Sequence, residues 1–180
     1  MAVLLTIGGC SRSRRSAEGA GLDRRQPGPE QSRTSAPGES LAAVVTSVTD
    51  GDTLVAQIGS TNEHVRLLGI DTPETKRPGQ PVECFGPQAA AALSSLLPPG
   101  TTIRVERDKE LRDHFGRALL YVGRSDGVFV NEALLSLGVA DVLVIEPNHA
   151  HTTTLLASRD AARAAGIGLW SACVHTTGPP

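Results

Sequence analysis

Aromatic residues are scarce in this chain: phenylalanine, tyrosine and tryptophan make up 3% of its 180 residues. Stacking of bases on aromatic rings can therefore add little to any affinity for nucleic acid. Cysteine is sparse too, at three residues, and no Cys-x-x-Cys or mixed Cys/His spacing occurs, which argues against structural zinc. No apolar run approaches the roughly 20 residues that a helix needs to cross a bilayer, so a polytopic helical membrane protein is excluded. Excess positive charge is missing as well. The net charge is −2, which does not describe a strongly basic nucleic-acid binder. No internal repeat is present.

What is present divides unequally. Residues 1–40 carry six Arg against four acids, and residues 11–40 are Ser, Arg, Gly and Pro with almost no large apolar side chain. Such a segment cannot bury enough surface to offset the entropy of ordering it, so 11–40 reads as a disordered tether. Ahead of it, residues 1–10 (MAVLLTIGGC) form a short apolar run. Its end, Ile7-Gly8-Gly9-Cys10, resembles the lipobox at which a bacterial signal peptide is cut before a cysteine that then takes lipid. That reading implies export, as a cell-envelope lipoprotein or a secreted protein, with any membrane contact made only through a lipid on Cys10. Cys84 and Cys173 would then be left to pair as a disulfide; in a cytosolic chain they would be two separate thiols. Residues 41–180, with eleven basic and fifteen acidic groups, form the expected folded domain, taken as a monomer.

Within that domain, Val44, Val45 and Val48 lead to the turn dipeptide Asp50-Gly51, and a second strand covers Thr53–Ile58. After the polar turn 59–62, His64–Ile70 forms a third strand, ended by Pro73. A Pro- and Gly-rich loop then reaches Pro87, which suits the first turn of a helix with Ala89, Ala92, Leu93, Leu96 and Leu97 on one face. Two more strands follow at Thr101–Arg107 and Ala118–Val122, then a short helix over Asn131–Leu137 capped by Gly138. An extended stretch covers Val139–Ile145. A last helix runs from Thr153 to Ala165, after which Ile167, Leu169 and Trp170 are expected to fold back onto the core. Five strands with a helix inserted between the third and fourth predict an α+β domain: a five-stranded OB-fold barrel with three helices.

Three segments carry candidate chemistry: Asp50-Gly51-Asp52-Thr53, Arg66 to Glu74, and Asp113-His114-Phe115-Gly116-Arg117. The first is not an EF-hand, whose loop would need Gly at position 55 and Glu at position 61, where Val and Thr stand. Asp52, Asp71 and Glu74 lie at strand ends that a meander brings together, and their mutual repulsion calls for a cation. Oxygen donors of this kind suit Ca²⁺ or Mg²⁺. Arg66 and Arg117 add planar forks matched to phosphate oxygens. Carboxylates, a hard cation and two guanidinium groups are what phosphodiester hydrolysis requires. Arg66 and Asp71 are an odd number of positions apart, so strict alternation would put them on opposite faces. Their cooperation needs a bend near Gly69.

The segments VTDGDTL, VRLLGIDTPET, HFGRALLYV, VNEALLSLGVA and the closing GLW occur here in the order and approximate spacing of the staphylococcal nuclease (thermonuclease) family, which residues 43–170 resemble. The resemblance implies a Ca²⁺-dependent nuclease acting on DNA and/or RNA, cutting at the 5′-oxygen and leaving 3′-phosphate ends; Mg²⁺ or another divalent cation is an alternative metal. It implies that Asp52 and Asp71 hold the metal through side-chain oxygens and Thr72 through its carbonyl. Glu74 would act on the attacking water, while Arg66 and Arg117 clamp the phosphate. Asp50 would be a turn or supporting residue. Where the family commonly has a basic residue and a tyrosine that contact a terminal phosphate, this chain has His114 and Phe115. Where relatives place stacking tyrosines, it has Val142-Leu143-Val144-Ile145. With its acidic domain, these departures predict weak substrate binding and a high KM. His149-Ala150-His151 reads as polar surface. The competing reading is a non-catalytic OB-fold module that binds nucleic acid or protein; complete retention of the acid and arginine positions favours the enzyme.

Overall fold

A computed structural model describes residues 40–76, 79 and 81–173. The apolar segment 1–10 with Cys10 and all of the tether 11–40 but its last residue lie outside the described residues; Ser40 already belongs to the first strand. Seven strands and four helices follow in order: β1 (Ser40–Asp50), β2 (Thr53–Ile58), β3 (Thr61–Leu67), β4 (Gly69–Asp71), α1 (Gly86–Leu96), β5 (Thr102–Glu106), β6 (Ala118–Arg124), α2 (Val130–Ser136), β7 (Asp141–Leu143), α3 (Thr152–Ala164) and α4 (Leu169–Ala172). Five strands close a barrel in the order β1-β2-β3-β6-β5, the OB-type architecture expected from the strand pattern.

The ring closes because β1 is long and bent. Its first half pairs with β5 through Ser40–Val44, and most of its length pairs with β2 from Ala43 to Asp50. Register shifts after Val45 and Val48 curl it from one neighbour to the other. Antiparallel pairing runs through the ring except where β3 meets β6, which run parallel, with Val65 opposite Ala118 and Leu67 opposite Leu120. Leu54, Ala56, Val65, Leu67, Ile103, Val105, Leu119 and Leu120 fill the buried core. Helix α1 adds Ala89 and Leu93, α2 adds Leu134 and Leu135, and α3 adds Leu155.

The third strand does not run unbroken to Ile70. It leaves the barrel at Leu68, whose N–H still donates to Leu120 O at 2.9 Å, and turns at Gly69, where φ is +76°. A side chain at that φ would be strained, and a Cβ would run into Leu155. Beyond the bend, β4 pairs outside the barrel with β7, Asp71 opposite Asp141. The buried Asn131 side chain braces this exit: its Nδ2 donates to Leu68 O at 2.8 Å and its Oδ1 accepts from Val122 N at 2.9 Å.

One expectation for the C-terminal end does not hold. Ile167 is 43% exposed, and the short α4 contributes no buried residue. This segment is held instead by its backbone, Leu169 N donating to Gly138 O at 2.8 Å. Gly138 and Gly168 approach so closely that a Cβ on either would strike the other's end of the turn.

Candidate active site

Arg66 is the centre of the site. It lies at the end of β3, opposite Thr53 and Leu119, and is 6% exposed. Its Nη1 donates to Leu67 O at 3.0 Å and Ile70 O at 2.8 Å, holding the bend at Gly69 from inside. The same nitrogen stands 3.1 Å from Asp52 Oδ2, while Nη2 donates to Asp71 Oδ1 at 2.7 Å. The chain reversal thus puts Arg66 and Asp71 on one side despite their odd spacing. Asp52 Oδ2 also accepts from Thr72 N at 3.2 Å. The turn sits this close to Thr72 because Gly51 has no side chain: a Cβ there would lie 2.6 Å from Thr72 Oγ1 and 2.7 Å from Ala89 Cβ.

A second group of acids stands beside the first. Asp50 Oδ1 accepts from Gly51 N at 2.9 Å and Thr75 Oγ1 at 3.0 Å. Glu74 Oε1 accepts from the backbone N–H groups of Thr75 and Lys76, each at 2.9 Å, which orients its carboxylate. Hydrogen bonding with the neighbouring Asp50 carboxyl is the largest influence on the Glu74 titration. It raises Glu74 above the ordinary glutamate range, and the Asp50 charge adds to the effect. Burial alone would raise Asp50, but its bonds with Glu74, Gly51 and Thr75 outweigh burial and leave it lowered.

The second arginine comes from the turn before β6. Asp113 begins that turn with Gly116 three residues on, a type I signature, and Gly116 N donates back to Asp113 O at 2.9 Å. The Asp113 carboxylate accepts from Phe115 N at 3.0 Å, Arg117 N at 2.9 Å and Arg117 Nε at 2.6 Å. Burial works to raise Asp113; the Arg117 guanidinium and the two amides prevail and hold it low. Arg117 Nη1 reaches Thr53 Oγ1 at 3.3 Å, and Thr53 Oγ1 donates to Asp52 Oδ1 at 2.9 Å. Phe115, 72% exposed, places its ring 5.4 Å below the Arg117 guanidinium.

Asp50, Asp52, Arg66, Asp71, Thr72, Glu74 and Arg117 line one cavity of about 400 Å³, with Thr53, Glu83 and Phe115 at its wall. Comparison with known proteins matches this chain to the family described as staphylococcal nuclease homologue over residues 64–172. The chain belongs to that family. It is 34% identical over 141 residues to a thermonuclease of Staphylococcus intermedius, covering 78% of this chain and 82% of the relative. It is 32% identical over 127 residues to a thermonuclease of Staphylococcus hyicus, covering 71% and 74%. Endonuclease YncB of Bacillus subtilis is 35% identical over 130 residues, covering 71% of this chain and 61% of the relative.

Against the nuclease-homologue resemblance, Asp52, Arg66, Asp71, Thr72, Glu74, Phe115 and Arg117 meet at one cavity. His114 does not line it; its ring lies 3.7 Å from that of Phe115. The strand ends bring Asp52, Asp71 and Glu74 to the same cavity. Among the described residues, no three His, Cys, Asp or Glu side chains form a ready metal-holding group. Between Asp52 and Asp71 the repulsion is relieved by Arg66, which supplies positive charge to both. The donor set still suits a hard divalent cation, because Asp52 and Asp71 offer only oxygen, beside Thr72, at a polar cavity.

Thr53 and Asp113 lie within the candidate segments but were given no role by sequence, and Glu83 was not singled out at all. Asp113 carried a signal in its spacing to Gly116; Glu83 carried none. His151 lies half-buried with Nε2 3.2 Å from Glu106 and its ring 4.5 Å from that of Tyr121, while exposed His149 meets Lys109 Nζ at 3.3 Å; neither reaches the cavity. Cys84 and Cys173 are joined by a disulfide.

Proposed function

We propose that the chain is a nuclease that hydrolyses phosphodiester bonds of DNA and/or RNA with a divalent cation, Ca²⁺ first and Mg²⁺ second, leaving 3′-phosphate ends. The observation that carries this reading is the single cavity in which two guanidinium groups face an oriented carboxylate. Asp52, Asp71 and Thr72 would hold the cation, which when bound supplies positive charge for the phosphate oxygens. Arg66 and Arg117 would bind the equatorial oxygens, where charge builds in the transition state. Their orientation is set beforehand by Asp71 and by Asp113.

Glu74 would take a proton from the attacking water. The water oxygen bonds to phosphorus, the bond to the 5′-oxygen breaks, and that oxygen leaves as a hydroxyl with a proton taken from solvent, while Glu74 returns its own proton to solvent. Raised above the ordinary glutamate range, the Glu74 carboxylate is a stronger base than an ordinary glutamate, which favours this role. The test compares wild type and Glu74→Gln on labelled DNA and RNA, with Ca²⁺ and with chelator. Cleavage should need metal and fall about 10²–10⁴-fold in the variant. Cleavage unaffected by chelator or by the substitution rejects the mechanism; tight binding without cleavage identifies the non-catalytic module instead.

We further propose export, supported by the lipobox-like Ile7–Cys10 segment and by a disulfide, a bond that persists in oxidising compartments. Mass spectrometry of the mature protein should find lipid on Cys10; an intact Met1 removes the anchor.

A further inference from the structure

The loop that carries Glu74 begins after β4 and returns to α1 through Pro81–Phe85, and its two arms are tied at one point. Glu74 N donates to Glu83 Oε2 at 3.0 Å, and Glu83 N donates to Glu74 O at 3.0 Å. Glu83 thus fixes the backbone of Glu74 from both sides. The next residue, Cys84, is crosslinked to Cys173 at the end of α4. That end is anchored in turn: Cys173 N donates to Leu169 O at 3.0 Å, and Leu169 N to Gly138 O at 2.8 Å, at the close of α2.

One further feature says that the arm is held rather than resting. Phe85, directly after Cys84, has φ +72°, the only non-glycine residue with positive φ among those described. A bulky side chain adopts that region only where its surroundings impose it. Phe85 is packed against the core on one side and joined to the crosslinked Cys84 on the other.

We propose that Glu83 is a positioning residue for Glu74, and that the Cys84–Cys173 bond holds Glu83 in place, so that nuclease turnover depends on the redox state of this pair. The inference rests on the nuclease reading above. An external dithiol supplies two electrons and two protons, the S–S bond breaks to two thiols, and the dithiol leaves as its own cyclic disulfide. Phe85 is then free to relax, and the two hydrogen bonds between Glu74 and Glu83 loosen. The barrel keeps its own hydrogen bonds and its core.

The experiment uses the full-length oxidised protein before and after dithiothreitol, with two readouts. Steady-state cleavage of DNA should lose about tenfold in kcat with KM little changed, since a displacement of roughly 1 Å in a reacting group can cost up to 10²-fold. Hydrogen exchange should quicken at the Glu74 and Glu83 amides and stay slow at Leu120 and Val122 in β6. Cys84→Ser/Cys173→Ser should show the low kcat and ignore the reductant. Glu83→Ala should lower kcat in the oxidised protein, and Glu83→Gln, which keeps an oxygen acceptor for Glu74 N–H, should recover most of it.

An unchanged kcat on reduction overturns the proposal. So does exchange that quickens throughout the barrel, because the bond would then be a general stabiliser. Absence of cleavage in both states overturns the nuclease reading and the catalytic half of the proposal; amide exchange at Glu74 then decides the positional half by itself.

Discussion

Arg66 holds Asp71 at 2.7 Å across the bend that takes the chain out of the barrel, and the same guanidinium accepts the task of pinning that bend through two carbonyls. The phosphate-binding role proposed for it and its role in folding the site are therefore inseparable. Arg66→Lys keeps the charge and loses the fork. Cleavage should fall by about 10³-fold, and stability by about 1–3 kcal/mol from buried acceptors left unpaired. Arg117 is more exposed, half-buried, and pairs with an Asp113 carboxylate that is itself 10% exposed. Arg117→Lys should lose activity to a similar degree while changing stability by less than about 1 kcal/mol. Urea midpoints measured beside cleavage rates separate the two.

With Glu74 as the proposed base, the Asp50–Glu74 pair should set the acid side of the pH profile. Glu74 has to be ionised to accept a proton, and the bond and charge of Asp50 make ionisation harder. The acid limb of kcat/KM should therefore lie above the ordinary glutamate range. Asp50→Asn removes the neighbouring charge and keeps an acceptor for Gly51 N–H, so the limb should move to lower pH. Rate profiles of the two proteins under saturating metal provide the check; a limb that stays in place rejects Glu74 as the titrating base.

Phe115 presents the one aromatic face at the cavity wall, already oriented by Arg117. A single base stacked on a ring contributes about 1–3 kcal/mol, so Phe115→Ala should raise KM about fivefold or more. Turnover at saturation should change little, because the ring holds no reacting atom. Initial rates over a range of oligonucleotide concentrations distinguish this from a loss in kcat.

Asn131 bridges β6 to the Leu68 carbonyl with no exposure to solvent. Asn131→Ala orphans a buried N–H and a buried C=O, which should cost about 2–4 kcal/mol. Against a typical total of about 5–15 kcal/mol, the drop is large and shows as a lower urea midpoint.

Much of this was legible in the residues alone. Alternation placed β1, β2, β5 and β6, and the proline and glycine punctuation placed the helices. The parity of Arg66 and Asp71 demanded a bend, and Gly69 supplies it. What escaped were relationships made by loops, which carry no periodicity. Nothing in the spacing pairs Asp50 with Glu74 or brings Glu83 back to Glu74, since both contacts depend on the path of an irregular loop. Nor could spacing show that Arg66 would lie buried between Asp52 and Asp71, in contact with both. Trp170 and its neighbours misled for a related reason: apolar residues after a helix were assumed to seek the interior, whereas a glycine–glycine backbone contact fixes them nearer the surface.

The parallel pairing of β3 with β6 joins segments between which the whole of α1 and β5 intervene. Contacts of such long sequence separation are formed late, after the entropy of closing the intervening chain has been overcome. Arg66 sits in that seam, opposite Leu119. In a chain whose β3 and β6 have not yet met, the cavity is unassembled, and Arg66 and Arg117 come to face it together only once the ring has shut.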